Sequence, residues 1–514
     1  MSFHEEYLFW RMAHYFISEQ DYRVVQLSKE HNEIWLEKME NKEAQVIRLL
    51  RYNLDWSNWM QKDIELTAAN GEGIRKQLAR NNMNVINIYV SAYPPVDDYE
   101  FRVEKPFLHP SNGKTSVQSI IVDRAHYEQG LQKLESIFHQ SLAITLEDSY
   151  NENDIEAVKL SALSVASNRT KQEKAIFNQG KPFFTYLFII IQVAVFLFLE
   201  WKGSSTDTST LIKYGAKFNP LILEGEWWRF FTPVFLHIGL MHLLMNTLSL
   251  FYLGTAVERI YGRGRFLLIY LIAGFGGSLA SFIFSPTLSA GASGAIFGCF
   301  GALLYFGVIY PKLFFRTMGF NIIIVLGINL VFGFSMPGID NAGHMGGLVA
   351  GFLATGIVHF PKKKKWMLQL LFFVITSIAI AGMLKYGFDK PERLLNEQTA
   401  VVMAQEYINK EEFNKAENLL TDYLKKDEVS AEVYFLLSYA EINLKEIDQA
   451  KEHLLLAINK RKDFHEAYYN LALIYIDESN FLEAKEYAEK AVELMPEQKD
   501  YQNLLQELNK HVNE

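Results

Sequence analysis

At about 150 residues per domain, a chain of 514 has room for about three domains and is too long for a single small one. A lone cysteine, Cys299, excludes an intrachain disulfide scaffold, and a formal charge of −9 with a pI near 5.9 gives no basic footprint for nucleic-acid phosphates. The mean hydropathy of +0.00 hides two polar ends around a very apolar middle.

Residues 1–178 open without a basic segment followed by an apolar run, so no secretory signal is expected and this part is predicted to stay in the cytoplasm. Short apolar or alternating runs at 22–27, 33–38, 46–52, 85–93 and 116–122 predict strands, interleaved with helices near 5–18, 55–81 and 124–142. That pattern is an α+β domain. Its histidines, His4, His14, His31, His109, His126 and His139, lack metal-ligand spacing, and no chemistry is announced. The polar stretch 149–181 reads as a linker whose Arg169, Lys171, Lys174 and Lys181 approach a membrane from its cytoplasmic side.

Beyond Pro182 the composition changes abruptly. Helices are predicted near 183–199, 236–257, 266–284, 291–310, 318–336, 343–360 and 366–384, and about 17 to 25 apolar residues cross the ~30 Å hydrocarbon layer. Seven transmembrane helices fit, within a membrane domain spanning 179–386. With the N-terminus inside, the cytoplasmic loops carry Arg259, Arg263, Arg265, Lys312, Arg316 and Lys362 to Lys365, whereas the outer loops carry only Lys202, Lys213, Lys217 and Arg229. That bias satisfies the positive-inside rule and puts the C-terminal region outside.

In the last segment, 397–514, the chain repeats every 34 residues. Phe413, Ile447 and Phe481 align, as do Ala416, Ala450 and Ala484, and then Leu424, Ile458 and Val492. The period resembles the tetratricopeptide repeat, an all-α helical-hairpin solenoid that binds peptides and does not catalyse.

Strongly polar side chains inside a membrane are expensive unless paired or facing a cavity, which makes each a functional candidate. His242 and Asn246, at i and i+4, share one face of the second helix, with His237 at its outer end. Ser293 opens the fourth helix in GASGAIFG, and His344 lies near the start of the sixth in AGHMGGLVAG. Gly294 and Gly298 on the fourth helix, with Gly343, Gly347 and Gly351 on the sixth, are small-residue faces that allow close backbone approach, so Ser293 and His344 are able to meet. Taken singly, each fits a duller part: a packing serine, a hydrogen-bonded histidine, an interhelical asparagine. Three motifs in order on helices 2, 4 and 6 point to a serine hydrolase. Its imidazole takes the proton of the serine, and His242, Asn246 and the Ser293 backbone N–H are the available oxyanion donors. No third carboxylate is evident, since Asp340 belongs to the preceding loop.

This constellation resembles the rhomboid family of intramembrane serine proteases, the match covering 183–360 with the seventh helix as an addition. The resemblance rests on Trp228-Arg229, on HIGLMHLLMN with His237, His242 and Asn246, on Glu258, on GASG with Ser293, and on AGHMGGLVAG with His344. It implies that Ser293 is the nucleophile and His344 the general base, with His242 and Asn246 as oxyanion partners. It further implies that Trp228 and Arg229 shape the first outer loop and that Glu258 fastens helix 2. Phe297 stands where many relatives have Tyr; it keeps a ring for stacking on the histidine and loses the hydroxyl, so activity is expected to survive. Ala295 replaces the final glycine of a G-x-S-x-G elbow and no strand precedes it, which excludes a lipase-like fold. The implied activity is endopeptidase cleavage in or near transmembrane segments of other proteins, with no metal or organic cofactor. Expected partners are transmembrane substrates, the bilayer and peptide or protein ligands of the repeats, but not nucleic acid. Two rival readings are a catalytically silent rhomboid-like chaperone or adaptor, and a transporter path, which usually carries membrane-buried carboxylates and broken helices from internal repeats that this sequence does not show.

Overall fold

The computed structural model describes residues 3–78, 80–142, 144, 146–147, 149–363, 365–389, 396–425 and 429–512; Lys364 of the basic cluster and the final residues 513–514 lie outside the described residues. Two compact units result, 1–177 and 178–514.

In the first unit, α1 (Phe3–His14) precedes β1 (Arg23–Leu27), β2 (Glu33–Glu37) and β3 (Val46–Arg51); α2 (Ser57–Gln77), β4 (Met83–Ser91), α3 (Glu100–Val103), β5 (Phe107–Leu108), β6 (Thr115–Asp123), α4 (Tyr127–Phe138) and α5 (Glu152–Ile176) follow. The sheet order is β1-β2-β3-β4-β6-β5, with β3, β4 and β6 mutually parallel and the remaining pairings antiparallel. Alternation along the strands splits the core in two, because successive strand side chains point to opposite faces. Ile47, Leu49, Ile86 and Ile88 face α1, α4 and α5, whereas Val46, Leu50, Val85 and Tyr89 face α2. A buried Arg48 crosses the second layer, bidentate to Asp63 at 2.6 and 3.0 Å.

The predicted linker is in fact the 25-residue α5. Its start is fixed by a capping box in which Asn151 Oδ1 accepts from the Asp154 N–H and Asp154 Oδ2 accepts from the Asn151 N–H. Ile155, Val158, Ala162 and Ala166 form a narrow apolar stripe packed on the core, easily overlooked among charged neighbours.

The second unit starts with helices Phe184–Lys202, Gly239–Tyr261 and Arg263–Phe284, continues through Ser293–Ile309, Pro311–Thr317, Gly319–Ser335 and Asn341–Val358, and reaches Trp366–Asp389. Among the described residues, four helices (184–202, 239–261, 263–284 and 366–389) are long and apolar enough to cross a membrane, and 311–335, bent by 74°, makes a fifth if counted as one span. The 293–309 helix is apolar but shorter, at 17 residues.

At the centre, helices 263–284, 293–309 and 341–358 pack backbone to backbone. A Cβ on Gly347 would run into the Gly294 carbonyl, and one on Gly277 would sit 2.8 Å from the Gly343 carbonyl and 3.3 Å from the Gly294 Cα. Glycine is required where main chains approach this closely.

Glu258, on the 239–261 helix, bonds to the start of another helix. Its buried carboxylate accepts the N–H groups of Phe183 (2.8 Å), Phe184 (3.0 Å) and Thr185 (3.0 Å) and the Thr185 hydroxyl (2.7 Å). The first N–H groups of a helix have no intrahelical acceptor, and the positive end of the dipole favours an anion there, so Glu258 caps the 184–202 helix.

Beyond 396, three hairpins follow: Glu397–Asn409 with Phe413–Leu424, Ala431–Leu444 with Ile447–Lys460, and His465–Asp477 with Phe481–Leu494, closed by Lys499–Val512. Phe413, Ile447 and Phe481 each start a second helix, and Ala416, Ala450 and Ala484 are fully buried at the helix crossings. The hairpin turns repeat as well, with Glu411, Lys445 and Ser479 all at left-handed φ near 60 to 68°.

The Glu258 cap makes a stability prediction. Glu258→Ala strands buried N–H groups and is expected to lower unfolding free energy by about 3 kcal/mol, with Glu258→Gln losing less because it keeps one acceptor oxygen. Thermal unfolding in detergent reads this, and an unchanged melting temperature for the alanine variant would refute the capping role.

Candidate active site

Ser293 is the first residue of its helix, so its N–H is among the groups without an intrahelical acceptor. His344 lies one turn inside the 341–358 helix, whose start is capped by Asp340 Oδ1 accepting the Gly343 N–H at 2.9 Å. The glycine contacts between the two helices bring the side chains together. His344 Nε2 and Ser293 Oγ lie 2.8 Å apart, and both are partly buried. Phe297, one turn after Ser293, stacks on the imidazole with centroids 4.3 Å apart and planes within 11°. The ring contact expected of Phe297 is therefore present without a hydroxyl. The other imidazole nitrogen, His344 Nδ1, is buried and has no hydrogen-bond partner among the described residues. Asp340 does not orient the imidazole; its carboxylate is the helix cap.

His242 approaches from the 239–261 helix. A Cβ on Gly291 would fall 2.7 Å from His242 Cε1, 2.9 Å from its Nε2 and 3.7 Å from Ser293 Oγ. Only a residue without a side chain leaves the imidazole room at position 291, two residues before Ser293, and Gly291 also holds φ at +149°. His237 precedes the helix instead of sitting on it. It is fully buried, accepts the Ala292 N–H through Nε2 at 3.4 Å, and meets His242 edge-to-face at 5.4 Å. Asn246, buried one turn past His242, donates to the His242 carbonyl at 2.9 Å.

The other candidates stand apart from this cluster. Glu258 is sixteen residues along the helix from His242, about 24 Å away at 1.5 Å per residue. Arg229 is buried within the 203–238 loop, where Nη1 donates to the carbonyls of Ile212 (2.8 Å) and Ala216 (2.9 Å) and Nε pairs with Glu226. Trp228 remains 43% exposed. Arg229 thus holds the loop's own shape, and Trp228 presents an aromatic surface of the kind found at membrane interfaces.

Sequence reasoning overlooks two contributors. Lys217, counted there as an outer-loop charge, is fully buried: its Nζ donates to the carbonyls of Ser285 (2.7 Å) and Thr287 (2.8 Å) at the end of the 263–284 helix. A cation suits that end of a helix dipole, but no local motif marks it. The 263–284 helix is the other; Ala273 and Gly277, and Gly276 and Ala280, repeat the small-xxx-small spacing and were legible.

An alcohol, an imidazole at hydrogen-bond distance and further polar groups beside them make a site suited to acyl transfer. Comparison with known proteins agrees with that chemistry. The Rhomboid domain family model matches residues 224–361, and the rhomboid protease GluP of Bacillus subtilis (strain 168) is 41% identical over 475 residues, covering 92% of each chain. The chain belongs to the rhomboid family. Rhomboid protease AarA of Providencia stuartii is 29% identical over 258 residues, 44% of this chain and 91% of that one. RHOMBOID-like protein 1 of Arabidopsis thaliana is 42% identical over 150 residues, 28% of this chain and 38% of that one. The tetratricopeptide repeat model matches 431–459 and 465–498. This rhomboid is an intramembrane serine protease and a multi-pass membrane protein carrying tetratricopeptide repeats; the silent-chaperone reading is not favoured.

The stacked ring gives a test within this rhomboid. Phe297→Tyr should retain activity, whereas Phe297→Ala, which removes the flat face, should lower kcat about tenfold with little change in KM. Steady-state cleavage of a transmembrane peptide measures both, and a Phe297→Ala enzyme with unaltered kcat would dismiss the stacking role.

Proposed function

We propose that Ser293 and His344 form a catalytic dyad with His242 and Asn246 on the oxyanion side. The 2.8 Å contact between His344 Nε2 and Ser293 Oγ carries the reading. In the reaction, Ser293 Oγ attacks the scissile carbonyl while His344 Nε2 takes its proton. The tetrahedral oxyanion is met by the Ser293 N–H and by the side chains brought up on the 239–261 helix. Collapse breaks the C–N bond, the imidazolium returns its proton to the departing amine, and an acyl-serine remains. Water activated by the same imidazole hydrolyses it. His237 and Phe297 position the two reacting groups, Arg229 and Trp228 shape the outer loop, and Glu258 holds the first helix.

In the bilayer we assign seven spans, with the shorter 293–309 helix and the glycine-rich 341–358 helix completing those long enough by themselves. Residues 1–178 form the cytoplasmic α+β domain, 179–386 the protease domain and 397–514 the repeats. The cationic bias of Arg259, Arg263, Arg265, Lys312 and Arg316 supports a cytoplasmic N-terminus and an outer repeat region. The dyad then sits toward the outer leaflet, where water reaches it. Substrates are transmembrane proteins entering sideways between helices and unwinding locally to expose a peptide bond. The repeats take peptide or protein ligands on the same side.

Two experiments bear on this. A fluorophosphonate probe should label the wild-type protein and fail on Ser293→Ala, with client cleavage falling at least roughly 10³-fold in that variant; labelling that persists in Ser293→Ala would sink the dyad. For topology, Cys299 is buried and so leaves introduced thiols as clean reporters. Ser479→Cys should react with an impermeant maleimide on intact cells, and Ser111→Cys only after permeabilisation. The reverse pattern would invert the assigned orientation.

A further inference from the structure

The strap from 285 to 291 joins the 263–284 helix to Ser293, and its path is fixed by the first outer loop. Lys217 and Ser289 exchange two backbone hydrogen bonds (2.8 and 3.0 Å), Lys217 Nζ holds the Ser285 and Thr287 carbonyls, and the Gly291 N–H donates to the Pro233 carbonyl at 2.9 Å. Gly291 is the residue against which His242 rests. The strap thus runs directly from these contacts to Ser293.

The first repeat hairpin touches both the strap and the loop that holds it. Met403, Tyr407 and Ala416 share one apolar cluster with Ile212, Phe218 and Leu221 of the loop and with Leu288 of the strap. The Thr399 hydroxyl, which also faces the Asn396 side chain capping its own helix, lies 3.1 Å from the Pro286 carbonyl. The Tyr407 hydroxyl donates to the Glu224 carboxylate, and burial together with that carboxylate pushes the tyrosine pKa well up. The Ile212 carbonyl in this cluster is itself an acceptor of Arg229.

We propose that the first repeat hairpin is a working part of the protease, splinting the 285–291 strap and the outer loop so that Ser293 is held ready for His344. Thr399 and Tyr407 are positioning residues in this sense; they touch no substrate. Surface loops are ordinarily mobile, and catalytic groups lose rate steeply when displaced by an ångström or less, so a splint across two loops acts on kcat and not on substrate binding. The inference rests on Ser293 as nucleophile, and it is separate from any capture of ligands by the repeats.

The test uses the full chain in proteoliposomes and a short transmembrane peptide substrate with no outer domain, so that client capture is irrelevant. Thr399→Val/Tyr407→Phe, which keeps most of the packing, is expected to lower kcat about fivefold with KM within about twofold, while fluorophosphonate titration still counts the full number of sites. Glu224→Gln, which keeps an oxygen acceptor for Tyr407 but loses the charge, should lower kcat less than the double variant does. A double variant with wild-type kcat overturns the proposal, as does a fall in rate matched by an equal loss of titratable sites, which would mean simple unfolding. Wild-type protein that neither cleaves nor labels would instead refute the dyad, a distinct failure.

Discussion

Backbone contact between two helices governs this protein. Helices 293–309 and 341–358 approach until Gly347 leaves no room for a Cβ beside the Gly294 carbonyl, and Gly277 on 263–284 fills in behind. Lipid offers no hydrophobic drive for helices to associate, so tight van der Waals packing and interhelical polar contacts have to supply it. The same approach that stabilises the bundle brings Ser293 and His344 within 2.8 Å. Fold and chemistry thus share one cause.

Around that contact the protein fixes groups that would otherwise wander. Phe297 stacks on the imidazole, Gly291 admits His242, and His237 accepts the Ala292 N–H just before the serine. Further out, Lys217 and Arg229 tie loop carbonyls to buried basic groups, and the first repeat hairpin packs on Ile212, Phe218 and Leu221 of the same loop. At the far end of the 239–261 helix, Glu258 caps 184–202. These buried polar groups are met mostly by backbone N–H and C=O groups, with Glu226 pairing Arg229 and the Thr185 hydroxyl adding to Glu258, which spares them the cost of an unpaired charge in an apolar setting.

Much of this was legible in the sequence because it was carried by local, periodic or chemically rare signals. Ser293, His242 and His344 stand out since polar groups are scarce in apolar helices, and the repeats declare themselves through Ala416, Ala450 and Ala484. Five of the strands between 22 and 123 fall on the short apolar or alternating runs, whereas the two-residue β5 has no such run to mark it. What was not legible depended on distant partners. The α5 helix was hidden because its apolar stripe is narrow and its flanks charged. Lys217 looked like a surface loop charge, since nothing near it in sequence reveals the helix end it caps 64 to 70 residues away. The contact of the repeats with the 203–238 loop and the 285–291 strap is likewise set by tertiary packing, where Met403 and Tyr407 read in sequence as ordinary interior residues of a helix.

The claim most exposed to test is that the serine and histidine act as one unit. Measuring cleavage for Ser293→Ala, His344→Ala and the double variant closes a cycle: groups that work together lose nearly all of their shared contribution when either is removed. Each single change should then abolish activity to a similar residual level, with the double variant no worse than either. Independent losses that multiply in the double variant, or substantial activity in His344→Ala, would contradict the account.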